Sequence, residues 1–130
     1  MTIGETDLVK ILATLTVLRR DEPVTMVTVP DAVRVGDGIY MVLAEDEGTT
    51  VVATVAEAQR RGWPTDFRAA WLTIEVHSSL DAVGLTAAMS RVLTEHNIPC
   101  NVLAGYYHDH LLVPLELADQ AIAALESLRG

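Results

Sequence analysis

Three short stretches of this chain hold residue types able to do chemistry. Ser78 and Ser79 open a turn that runs through Leu80, Val83 and Gly84 to Leu85; Asn101 interrupts an apolar run beside Val102; and His108, Asp109 and His110 stand in a row, with His77 available from an earlier segment. A strand-to-helix turn leaves backbone N–H groups unpaired and presents the positive end of a helix dipole, so residues 78–85 suit a carboxylate. The plainer reading is that Ser78 and Ser79 only cap the helix. Asparagine offers both a donor and acceptors, which fits the ammonium or carboxylate of an amino acid; the alternative for Asn101 is an exposed edge position. His-x-His in an extended segment, with His77 nearby, could hold a divalent metal. Asp109 is equally what a hairpin turn needs, and the histidines could line a ligand cleft instead. No cysteine-containing or glutamate-rich partner set completes a metal motif, so no metal is assigned.

Other chemistries are excluded. The chain has no Gly-x-Ser-x-Gly and no phosphate loop, so no catalytic residue or cofactor is assigned. Cys100 is the only cysteine, which rules out an intramolecular disulfide; its apolar setting fits a buried, inert thiol. The net charge is −9, and the nine Lys and Arg residues are scattered apart from Arg19–Arg20 and Arg60–Arg61. Such a surface repels phosphate backbones, and the chain offers no basic amphipathic helix to an anionic membrane, so neither nucleic acid nor membrane is an expected partner. Glu5, Asp7 and Lys10 stand where a signal peptide would be apolar, so the expected location is cytoplasmic.

The elements that must position these groups follow from periodicity. At 130 residues, half of them hydrophobic and 5% aromatic, the chain can bury an aliphatic core in one domain or two small ones. Leu8, Ile11 and Leu12 recur at helical spacing over 7–13, with Thr6 or Asp7 as a cap. Segments 14–19, 24–29, 39–44 and 49–54 read as strands between turns, and 55–61 as a short helix ending at Gly62. Trp63 and Pro64 mark a boundary, which predicts modules over 1–64 and 65–130. In the second, residues 70–77 alternate strictly, with Leu72, Ile74 and Val76 on one face and Trp71, Thr73, Glu75 and His77 on the other. Ser78 to Asp81 has the form of a capping box, and a helix from Asp81 presents Ala82, Leu85, Met89, Val92, Leu93 and His96 on one stripe. Asn97 suits a left-handed cap before Pro99. Strands over 98–104 and 110–115 and a helix over 115–128 complete the order β-α-β-β-α. That is five of the six elements of a ferredoxin-like βαββαβ unit. The missing edge strand must come from the first half, since an open edge invites pairing, so the two modules are expected to interlock in an α+β fold with helices on one face of antiparallel sheets.

The stretches Glu75-Val76-His77-Ser78-Ser79-Leu80, Val83-Gly84-Leu85-Thr86, Ile98-Pro99-Cys100-Asn101-Val102 and Tyr106-Tyr107-His108-Asp109-His110 resemble the stand-alone tandem ACT-domain proteins. The opening helix leading into Leu15–Arg19 resembles the degenerate first module of the same group. The resemblance implies ferredoxin-like regulatory modules that bind amino acids at interfaces between modules. It also implies ligand contact through Asn101 and Val102, since an Asn-hydrophobic pair on this strand touches the ligand in aspartokinase ACT domains. The expectation is a small-molecule-binding regulatory protein rather than an enzyme. Its expected ligand is an amino acid at residues 78–85, 101–102 and 108–110, and it should form a homodimer. The alternatives are a ligand-free dimerisation module and a metal-dependent enzyme centred on His77, His108 and His110.

Overall fold

The computed structural model describes residues 7–77 and 83–130. In chain order, helix α1 (Leu8–Ala13) leads into strand β1 (Thr16–Arg19), followed by β2 (Val24–Val29), β3 (Ile39–Glu45), β4 (Gly48–Thr54) and helix α2 (Val55–Arg60). Strand β5 (Ala69–Glu75), helix α3 (Leu85–Glu95), strands β6 (Asn101–Ala104) and β7 (Asp109–Pro114) and helix α4 (Ala118–Glu126) complete it. Residues Asp21–Ala69 form one compact unit, and Met1–Arg20 with Ala70–Gly130 form the other. A division of the chain at 64/65 thus leaves residues 7–20 on the other side from the unit that they complete.

In the larger unit the strands lie in the order β1-β5-β7-β6. β1 runs antiparallel to β5, pairing Thr16 with Glu75 and Arg19 with Leu72, and β6 runs antiparallel to β7. β5, α3, β6, β7 and α4 are the five elements read from the sequence, and β1 is the missing sixth. The fold is α+β and ferredoxin-like. Leu72 and Ile74 of β5 and Leu111 and Val113 of β7 pack under Met89 and Leu93 of α3 and Ala121 and Leu125 of α4. Ile11 and Leu15 enter the same core from the N-terminal segment. Three polar contacts hold that segment in place. Arg129 Nε donates to the Leu15 carbonyl at 2.7 Å, Arg19 pairs with Asp119 at 3.2 Å, and the His77 N–H donates to Thr14 Oγ1 at 3.1 Å.

Helix α3 begins later than its apolar stripe suggests. Leu85 is the first helical residue, and Gly84 is the N-cap with φ of +100°. Gly84 therefore sits outside the helix, not within it as the start at Asp81 requires; residues 78–82, with the expected capping box, lie outside the described residues. A Cβ on Gly84 would stand 3.1 Å from Leu8 Cδ2, so what comes close here is the side chain of α1. At the other end Asn97 has φ of +57°. The Asn97 N–H donates to the Thr94 carbonyl and the Ile98 N–H to the Leu93 carbonyl, both at 2.9 Å. These two bonds are a Schellman cap, closed by buried Ile98. The cap also explains why β6 starts at Asn101 and not at 98: Ile98 is spent on the helix end, and Pro99 has no N–H for a ladder.

In the smaller unit β3, β4 and β2 form an antiparallel meander in that order. Val27, Ile39, Val51 and Ala53 are its core, with Trp63 packed against them. Thr54 ends β4 and caps α2, accepting from the Glu57 N–H at 3.1 Å. Glu57 in turn binds Arg60 and Arg61, and the Arg60 hydrogen bond chiefly holds its carboxyl below the ordinary range.

The N-terminal segment is a structural requirement of the larger unit. Losing a buried Ile or Leu costs about 2–5 kcal/mol, so losing both Ile11 and Leu15 removes an amount comparable to a whole domain's stability of about 5–15 kcal/mol. A fragment spanning 65–130 is expected to aggregate or stay partly folded, whereas the whole chain unfolds cooperatively; a well-dispersed NMR spectrum from the fragment would refute this. At the Schellman cap, Asn97→Ala is expected to cost about 1 kcal/mol, since the left-handed region penalises a Cβ that asparagine tolerates better. Urea midpoints measure it.

Candidate functional site

Strand alternation divides the sheet of the larger unit into two faces. Ala70, Leu72, Ile74, Leu111 and Val113 meet the helices. The opposite face carries Trp71, Thr73 and Glu75 of β5, and His110 and Leu112 of β7. The register adds Thr16 opposite Glu75, Leu18 opposite Thr73, Leu103 opposite His110 and Asn101 opposite Leu112. This face holds most of the polar chemistry of the unit. Its centre is well covered, with Trp71 at 4% and Leu112 at 1% exposure, while Leu18 at the β1 edge is 48% exposed.

Trp71, Thr73 and His110 form one connected group. Trp71 Nε1 donates to Thr73 Oγ1 at 3.1 Å, and Thr73 Oγ1 lies 3.0 Å from His110 Nδ1. The Trp71 and His110 rings also lie against each other, 4.9 Å between centroids and tilted by 37°. The guanidinium of Arg20 sits over the Trp71 ring, 5.4 Å from its centre. His108 comes from the turn before β7; its Nε2 is 3.9 Å from Glu75 Oε2, and its ring stands edge-on to that of His110 at 6.3 Å. Burial, then the charges of His108 and Arg20, push the His110 pKa down, with Asp109 opposing. His110 is therefore a neutral imidazole at neutral pH.

Each residue expected at the site can now be placed. Asn101 and His110 share this face, and Asn101 is exposed at the β6 edge. Val102 pairs with Leu111 and Asp109 with Ala104, which places both on the helical side. Leu85 is in the core and Val83 is 82% exposed. Ser78, Ser79 and Leu80 lie outside the described residues. His77 is exposed, with its backbone N–H taken by Thr14. Among the described residues no three His, Cys, Asp or Glu side chains converge as a metal centre would need. Cys100 is half-buried, and burial raises its thiol pKa, the opposite of what a nucleophile needs. Sequence reasoning put Trp71, Thr73 and Glu75 on one face but did not see them as the setting of His110. It missed Arg20 altogether; no local pattern marks a cation at a strand end that stacks on a residue fifty positions later.

The chain is similar to known proteins in sequence and in structure. Two ACT-domain sequence models match it, over residues 3–70 and 66–127. A protein of unknown function from Vibrio cholerae, described as a possible transport protein, has a crystal structure that superposes with a TM-score of 0.85; it is 35% identical, over 95% of this chain and 96% of its own. A protein from Agobacterium tumefaciens superposes with a TM-score of 0.60 over 88% of this chain and 87% of its own, and at 16% identity it bears on the fold alone. No curated protein matches the chain.

The state of His110 makes a prediction about pH. In the unfolded chain its imidazole takes a proton near the ordinary value of about 6.5, whereas the folded chain resists protonation because the pKa is lowered there. The unfolded state then binds more protons, so stability is complete above that ordinary value and falls as the pH drops through the lower folded value. Urea midpoints followed from about pH 7.5 to 5.5, above the carboxylate range, should decline in the wild type. They should decline less steeply in His110→Gln, whatever the offset between the two curves.

Proposed function

The chain belongs to the ACT-domain family, whose domains are small-ligand-binding regulatory modules rather than catalytic ones, and we propose that it reversibly binds an amino acid and transmits this through association of its own copies. The observation that carries the reading is the shared face of Asn101, Thr73 and His110 with Arg20 close by. An amino acid needs a donor or a cation for its carboxylate and an acceptor for its ammonium; asparagine and a neutral imidazole supply donors and Glu75 an acceptor. Association is the natural output, because the β1 edge leaves Leu18 half exposed and an uncovered sheet edge is a template for pairing. A single half-buried cysteine suits a reducing, cytoplasmic setting.

A thermal-shift screen against the twenty amino acids tests the reading, because a ligand that binds only the folded chain raises its melting temperature. One or a few amino acids should do so, and light scattering should show a dimer whose population responds to that ligand. With the ligand in hand, Asn101→Ala should weaken binding about ten- to a hundredfold, the loss expected for a hydrogen bond to a charged group of about 1.5–3 kcal/mol. Unchanged affinity would remove β6 from the site. Stoichiometric zinc or iron in protein purified without added metal would favour the histidine-centred alternative instead.

A further inference from the structure

Thr73 has one hydroxyl proton and two neighbours that compete to define where it goes. The indole Nε1 of Trp71 can only donate, so at 3.1 Å it takes one lone pair of Thr73 Oγ1. The hydroxyl proton is then left with His110 Nδ1 at 3.0 Å as its acceptor, and Thr73 Oγ1 has no further partner among the described residues. If Nδ1 carried a proton instead, two donors would point at one hydroxyl and its own hydrogen would be stranded in a half-buried place, at a cost of about 1–3 kcal/mol. Only one arrangement gives both the indole and the hydroxyl proton an acceptor within the group. It runs from the Trp71 N–H to Thr73 and from the Thr73 O–H to Nδ1, and it leaves the ring proton on Nε2.

The other side of the ring is kept clear by the turn. Gly105 closes the β6–β7 hairpin with its N–H on the His108 carbonyl at 3.0 Å. A Cβ on Gly105 would stand 2.8 Å from that carbonyl oxygen and 3.4 Å from His110 Nε2. The turn therefore demands glycine, and the same glycine leaves Nε2 uncovered. Nε2 has no hydrogen-bond partner among the described residues, and the ring is braced against Trp71 on its flank. The charged groups around it are Arg20 over the Trp71 ring, His108 in the turn, Glu75 on β5 and Asp109 on β7. At His110 the fields of His108 and Arg20 outrank that of Asp109.

We propose that Thr73, braced by Trp71, is a positioning residue that holds His110 as the neutral Nε2–H tautomer, so that Nε2–H is a fixed donor for a carboxylate oxygen of the bound ligand. The assignment of that donor to a ligand rests on the binding function proposed above; the tautomer does not. Protonation of the ring would reverse the Thr73 hydrogen bond, so the donor is rigid only while the relay is intact.

Long-range proton–nitrogen NMR of the full chain near pH 7.5, above the ordinary imidazole range, reads the tautomer directly. His110 should show a protonated Nε2 and a bare, hydrogen-bonded Nδ1. Thr73→Val should shift the Nδ1 resonance and speed exchange of the Trp71 indole proton, and Thr73→Ser should restore both. Acetate serves as the probe of the donor: it should shift His110 Nε2 saturably in wild type and less in Thr73→Val, while methylammonium at matched ionic strength should not. A wild-type His110 protonated on Nδ1, an Nδ1 resonance indifferent to Thr73→Val, or acetate and methylammonium acting alike would each overturn the proposal. If the amino-acid screen is empty but the tautomer and acetate responses are as expected, the donor assignment stands and the ligand is a different carboxylate.

Discussion

The pairing of β1 with β5 is the constraint on which the rest of the larger unit depends. Four residues on each strand are matched, from Thr16 against Glu75 to Arg19 against Leu72. Without them β5 would be an edge, and the helical layer would lose Ile11 and Leu15 from beneath it. The same pairing sets the geometry of the polar face. Arg20 follows directly after β1, its N–H bonds to the Trp71 carbonyl at 3.0 Å, and its guanidinium is thereby set over the Trp71 ring. That ring supports His110. The pairing of β1 with β5 thus reaches the imidazole through two side chains, Arg20 and Trp71, and one backbone bond.

The hydrogen bonds around Thr73 show how one residue can serve two levels of structure. As a β-branched residue on a central strand it suits the pleated sheet. Its hydroxyl also satisfies the indole N–H of a nearly buried tryptophan, which would otherwise be costly to bury. The histidine beyond it is held by both stacking and hydrogen bonding. The turn at Gly105 completes the setting without adding a side chain.

Much of this was legible in the sequence where the signal is periodic. The alternation of 70–77 separated Leu72 and Ile74 from Trp71 and Thr73, and the stripe Leu85, Met89, Val92, Leu93 gave the buried face of α3. Asn97 announced its own left-handed cap. The need for a strand from the first half followed from counting elements. What failed to show was whatever depends on distant contact. Gly84 looked like a helix residue because apolar spacing runs past it, but its positive φ and the approach of Leu8 make it a cap. Of the candidate site only the residue types were legible; that Asn101 and His110 share a face comes from the pairing of β6 with β7. The facing of Val102 and Asp109 toward the helices was decided by a register that single-sequence patterns do not fix.

The strand order has a consequence for how the chain is made. Ile74 leaves the ribosome more than fifty residues after Val17, its partner in the sheet, which at about 5–20 residues per second is a delay of several seconds. During that interval the segment 21–69 can close its own local meander, while β1 has nothing in its own chain to pair with. A strand waiting in this condition is open to the β5 of another nascent chain as readily as to its own. At high local concentration, as on a polysome, reciprocal exchange of residues 7–20 between two chains would give an intertwined pair with every native contact preserved. Such a pair, once formed, would separate only at the rate of unfolding.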